Sequence, residues 1–111
     1  MIPGSVKTVG DSVFMESDRL ESVVISEGVT RLGDDVFLSC DGLTSVVVPK
    51  SMMRMGKSVF GFCPDLKNIY YAGSAADWAK IRITSDEYET EALPLYYYSE
   101  TQPTEAGNYW R

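Results

Sequence analysis

From Ile2 to Tyr70 the chain repeats itself every 23 residues without a gap, in units 2–24, 25–47 and 48–70. The first two units are identical at 11 of their 23 positions. What recurs is mainly the apolar pattern: Ile2/Ile25/Val48, Val6/Val29/Met52, Val9/Leu32/Met55, Val13/Val36/Val59, Phe14/Phe37/Phe60, Leu20/Leu43/Leu66 and Val23/Val46/Ile69. A unit this short cannot bury its own apolar face, but stacked units can, with equivalent side chains one rung apart at about 4.8 Å. The repeat therefore predicts a solenoid in which every column is a ladder, dominated by short parallel strands.

Within a unit, Leu43-x-x-Val46-x-Val48 alternates with period two and is rich in β-branched residues, which places the main strand at Thr44 to Val48 and its equivalents. A second extended piece fits Thr30 to Leu32. The recurrent glycine Gly10/Gly33/Gly56 follows it, where a bend with positive φ is expected. Asp11-Ser12, Asp34-Asp35 and Ser58 then precede the Val-Phe pairs, predicting a single helical turn with an Asx or Ser cap that drives phenylalanine inward.

After Tyr70 the period fails. Without a gap, Trp78 falls in the Val9/Leu32/Met55 column, and Ser74 to Ile81 reads as a short amphipathic helix capped by Ser74. Leucine returns at Leu93, four residues late. That offset predicts a fourth strand at Leu93 to Tyr98, with Tyr96 and Tyr98 inward and Tyr97 outward beneath Tyr70. Residues 1–98 are thus expected to form one repeat domain closed by an irregular unit, 71–98, and 99–111 a C-terminal linker or truncated segment.

Composition removes several function classes. Histidine is absent, so histidine-based triads, imidazole metal sites and a near-neutral proton shuttle are excluded. The net charge of −6 opposes nucleic-acid binding. Residues 1–85 hold ten acids and nine bases, so most of the excess lies in 86–111. No stretch reaches the roughly 18 apolar residues of a membrane helix, and the start carries no signal-peptide pattern. The aromatic ending Tyr109-Trp110-Arg111 points to a piece of a longer protein.

The motif Leu43-x-x-Val46-x-Val48-Pro49-x-x-Met52-x-x-Met55-Gly56-x-x-Val59-Phe60-x-x-Cys63 resembles the BspA-type leucine-rich repeat, over roughly Ile2 to Tyr98. Tyr70-Tyr71-Ala72-Gly73-Ser74, with Trp78 and Ile81, is similar to the closing module of bacterial members. Ser17 stands where the family has Cys, and Ser26 where it has Pro. The resemblance implies a right-handed leucine-rich repeat superhelix and a secreted or cell-surface bacterial protein engaged in adhesion.

Core demands do not dictate the outward positions of the main strands, Ser22/Ser45/Asn68 and Val24/Val47/Tyr70/Tyr97. The second set is an apolar-to-aromatic stripe roughly 15 Å long at strand spacing. Solvated sheet faces normally carry polar residues, so this stripe is the expected contact surface, with a protein or glycan partner. Cys40 and Cys63 stand one period apart. A disulfide is sterically open to them, and a ladder of buried thiols packed as small hydrophobes is the simpler alternative. The phenylalanine column and Leu20, Leu43, Leu66 and Leu93 read as structural ladders. Asp34, Asp35 and Asp41, and Asp86, Glu87, Glu89 and Glu91, read as solvated charge: a narrow solenoid offers little cleft for paired-carboxylate catalysis, and the calcium-loop spacing is missing. The expected function is a non-catalytic interaction module without metal or cofactor. The alternative is a structural spacer carrying other domains.

Overall fold

The computed structural model describes residues 2–84, 95–98 and 109–110. Two parallel sheets run along the stack. One is built from β1 (Thr8–Val9), β3 (Arg31–Leu32), β5 (Arg54–Met55) and β7 (Arg82–Ile83). The other orders β2 (Ser22–Val24), β4 (Ser45–Val48), β6 (Asn68–Tyr71), β8 (Leu95–Tyr98) and β9 (Tyr109–Trp110). Across the three regular units every pairing is offset by one period, as in Thr8↔Arg31 and Val46↔Ile69. The fold is the predicted solenoid. Inward residues of both sheets form one core that includes Leu32, Leu43, Val46, Val48 and Ile69, each at most 1% exposed.

The ladders are not energetically uniform. Val36 and Val59 are fully buried, whereas Val13, in the same column, is 56% exposed. Among the described residues the first unit has a neighbouring coil on one side only. The phenylalanines stack face to face, Phe14 on Phe37 at 5.6 Å and Phe37 on Phe60 at 5.9 Å, with interplanar angles of 6° and 2°.

The third side of each coil departs from the expected helical turn. Two successive turns replace it, closed in the first unit by Met15 N–H to Ser12 O and Ser17 N–H to Phe14 O. Ser12, Asp35 and Ser58 have φ of 55–60°, and so do Glu16, Ser39 and, at 52°, Phe62. A positive φ recurring in the two columns prevents α-helix. It also aims backbone N–H groups at the next coil: Ser12, Phe14 and Glu16 donate to the carbonyls of Asp34, Val36 and Leu38.

Gly10, Gly33 and Gly56 do not take the expected positive φ; among the described glycines only Gly28 does, at 110°. Close approach of coils explains two of them. A Cβ on Gly33 would stand 2.8 Å from the Asp11 nitrogen, and one on Gly56 would stand 2.6 Å from the Asp34 nitrogen.

The closing unit changes the spacing. Helix α1 (Ala75–Trp78) is capped by Ser74 in a reciprocal box with Asp77. Its insertion moves Ile83, not Trp78, into register with Met55, 28 residues on. Trp78 instead packs edge-on against Tyr71 at 5.1 Å. In the main sheet Ile69 pairs with Leu95, Tyr70 with Tyr96 and Tyr71 with Tyr97. The true offset is 26 residues, one fewer than the leucine spacing predicts. A one-residue slip exchanges the faces of a strand, so Tyr97 packs against the core and Tyr96 continues the outward column. Leu93 lies outside the described residues. Within the segment read as a linker, Tyr109–Trp110 forms β9, parallel to β8.

Candidate functional site

The main sheet places the predicted outward residues on one face. Ser22 and Val24 are exposed, and Ser45, Val47, Asn68 and Tyr70 are half-buried. Register aligns Ser22↔Ser45↔Asn68 and Val24↔Val47↔Tyr70. Tyr96 replaces Tyr97 as the fourth member, with its ring 5.5 Å from that of Tyr70 at a tilt of 38°. The column therefore runs from aliphatic to aromatic along the stack.

Cys40 and Cys63 are both free thiols. Each donates to a backbone carbonyl of the preceding coil, Cys40 Sγ to Phe14 O at 3.1 Å and Cys63 Sγ to Phe37 O at 3.0 Å. Burial raises both pKa values, that of Cys63 to about 11. Neutral thiols with occupied protons are poor nucleophiles. The folded protein is expected to react with iodoacetamide at pH 8 far more slowly than the same chain in denaturant, measured by mass. Because the folded pKa of Cys63 lies above its unfolded value of 9.0, the stability linked to it is intact below pH 9 and declines as pH rises towards about 11.

The carboxylates of the repeats serve the backbone. Asp11 Oδ1 accepts the Asp34 N–H at 2.8 Å, and Asp34 Oδ1 accepts the Lys57 N–H at 3.0 Å. Glu27 holds the N–H groups of Lys50 and Ser51 at 2.8 and 3.2 Å. Asp77 accepts from the Ser74 N–H and hydroxyl at 3.2 and 3.1 Å, which holds its carboxyl below the usual range; Lys50 and Lys80, each 3.9 Å away, add to this. Among the described residues no three cysteine or carboxylate side chains are grouped to hold a metal.

Two clefts lie beside the second, smaller sheet, that of β1, β3, β5 and β7. One, of about 440 Å³, opens between α1 and the third coil and includes Lys50, Met53, Arg54, Lys80, Ile81 and Arg82 in its lining. The other, of about 350 Å³, runs over Arg31, Arg54 and Arg82 beside Asp11 and Asp34. Column reading passes over this site. Arg31 and Arg54 share a repeat position, but the insertion of α1 displaces Arg82 from it in sequence, and outward charges leave no mark on the apolar pattern. The period-23 pair was the one available signal.

Comparison with known proteins agrees with this architecture. Residues 1–80 match the family described as BspA type leucine rich repeat region (6 copies). The crystal structure of a leucine rich cell surface protein from Faecalibacterium prausnitzii A2-165 superposes with a TM-score of 0.70 at 33% identity. The match covers 73% of this chain and 21% of that one, so the chain spans about a fifth of that protein's length. No curated protein matches the chain. A solenoid of stacked parallel strands with a family match over most of its length leaves one assignment: the chain belongs to the BspA-type leucine-rich repeat family.

Proposed function

We propose that this repeat module acts by binding rather than catalysis, using the outer face of the main sheet to contact a protein or glycan at the cell surface. The observation that carries this reading is the column Val24/Val47/Tyr70/Tyr96, which sets apolar and then aromatic groups on a face where solvation alone favours polar ones. A cell-surface setting is supported by the name of the Faecalibacterium protein. Among the described residues no helix is long and apolar enough to cross a membrane.

The test separates binding from folding. Against a panel of matrix proteins and neutral glycans, Tyr70→Ala/Tyr96→Ala is expected to lose at least about tenfold in affinity for whatever the wild type retains, the loss of a pair of aromatic contacts. Tyr70→Ala alone is expected to lower unfolding stability by less than about 1 kcal/mol, since its ring is only half-buried. Tyr97→Ala, which removes a ring packed on the core, is expected to cost more in denaturant titration. Full affinity in the double variant would sink the stripe as the contact surface.

A further inference from the structure

The second sheet carries a column that the stripe does not use. Its outward residues are Thr8, Arg31, Arg54 and Arg82, held side by side by the registers Thr8↔Arg31, Arg31↔Arg54 and Arg54↔Arg82. All are exposed, while Val9, Leu32 and Met55 beside them are buried. Three guanidiniums thus stand on consecutive rungs about 4.8 Å apart. Like charges directly opposed on neighbouring strands are unfavourable.

Among the described residues the ion pairs are those of Asp77 with Lys50 and Lys80, and none involves an arginine. Asp11 and Asp34, which share the cleft, each have an oxygen committed to a backbone N–H. Lys50 and Lys80 extend the same band across the adjoining cleft. Five of the ten basic residues of an acidic chain therefore gather around two continuous clefts containing three carboxylates.

We infer that this band binds a linear anionic glycan bearing one carboxylate or sulfate on each sugar, lying along the solenoid axis across Arg31, Arg54 and Arg82. Guanidinium forks pair in two-point fashion with carboxylate or sulfate oxygens. A stretched glycan advances along its axis by roughly one rung spacing per sugar, so long arginine side chains on every rung can follow its charges in turn. An extended acidic peptide advances only about 3.3 Å per residue and falls out of step with the rungs. Here, too, the ligand meets a sheet face, where no free strand edge is available for main-chain pairing. Met53, 64% exposed at the adjoining cleft, offers apolar contact to the ring faces.

Polygalacturonate, with one carboxylate per sugar, is the probe; its methyl ester and poly-glutamate are the comparators, all measured by biolayer interferometry on the full chain. The wild type is expected to bind polygalacturonate in a salt-sensitive way, to ignore the neutral ester and to bind poly-glutamate more weakly. Arg31→Gln/Arg54→Gln/Arg82→Gln is expected to lose about 1,000-fold in affinity, because each of the three charge-assisted contacts removed is worth a factor of about ten. Its unfolding midpoint should stay at or above that of the wild type. Lys7→Gln/Arg19→Gln/Lys67→Gln, which removes the same charge elsewhere, should lose less than about threefold. Equal loss in both triple variants, tighter binding of poly-glutamate, or no retention of polygalacturonate by the wild type would each overturn the proposal. Tyr70→Ala/Tyr96→Ala should leave this binding unchanged, so failure here and failure of the main-sheet stripe are distinguishable.

Discussion

Phe37→Ala is expected to lower the unfolding free energy by roughly 3–5 kcal/mol, the range for deleting a buried aromatic ring from a core that cannot fully collapse. Phe37 is completely buried and stacked on both faces, by Phe14 and Phe60. Its coil also donates the Phe37 N–H to Val59 O at 3.0 Å, so the cavity would open inside a hydrogen-bonded framework held from both sides. Phe14→Ala is the control. That ring has one stacking partner and is only partly buried, so its loss is expected to be clearly smaller. Denaturant unfolding with an unchanged m-value would measure both. Equal losses would mean that the stack contributes through local sequence rather than through burial between coils.

The same contrast shows what was legible in the sequence. The three regular coils were readable because each unit states its inward positions again, and a register error would expose all of them at once. The closing unit states its pattern only once. Leu95-Tyr96-Tyr97-Tyr98 has an apolar or aromatic residue at every position, so alternation cannot choose between two registers, and the leucine spacing selected the wrong one. Trp78 misled for a related reason. A short helix capped by Ser74 was readable, though over Ser74 to Ile81 where only Ala75–Trp78 forms, but not the displacement it imposes on the following strand. The arginine band was hidden because exposed positions are free of core constraint, so their chemistry becomes visible only when register brings the columns together.

Gly56→Ala is expected to destabilise the protein by about 2–4 kcal/mol, combining overpacking with the loss of a charge-assisted hydrogen bond. The added methyl would lie 2.6 Å from both the Asp34 nitrogen and the Gly33 carbonyl carbon, backbone atoms that cannot rotate aside. It would also press on Asp34 Oδ1, the oxygen that accepts the Lys57 N–H at 3.0 Å. Relief therefore requires either separating two coils or breaking that cap. Gly10→Ala is the discriminating partner, because its methyl would meet only Val13 Cγ2 at 3.7 Å and its φ is not positive. Without a clash, alanine there restricts the unfolded chain and is expected to be neutral or to stabilise by about 0.4–1 kcal/mol. If the two substitutions proved equally damaging in thermal unfolding, the glycine column would owe its recurrence to backbone conformation after all. If only the inner coils respond, the spacing between coils is what demands glycine, and the periodic residue that reads as a turn signal is in fact a contact between rungs.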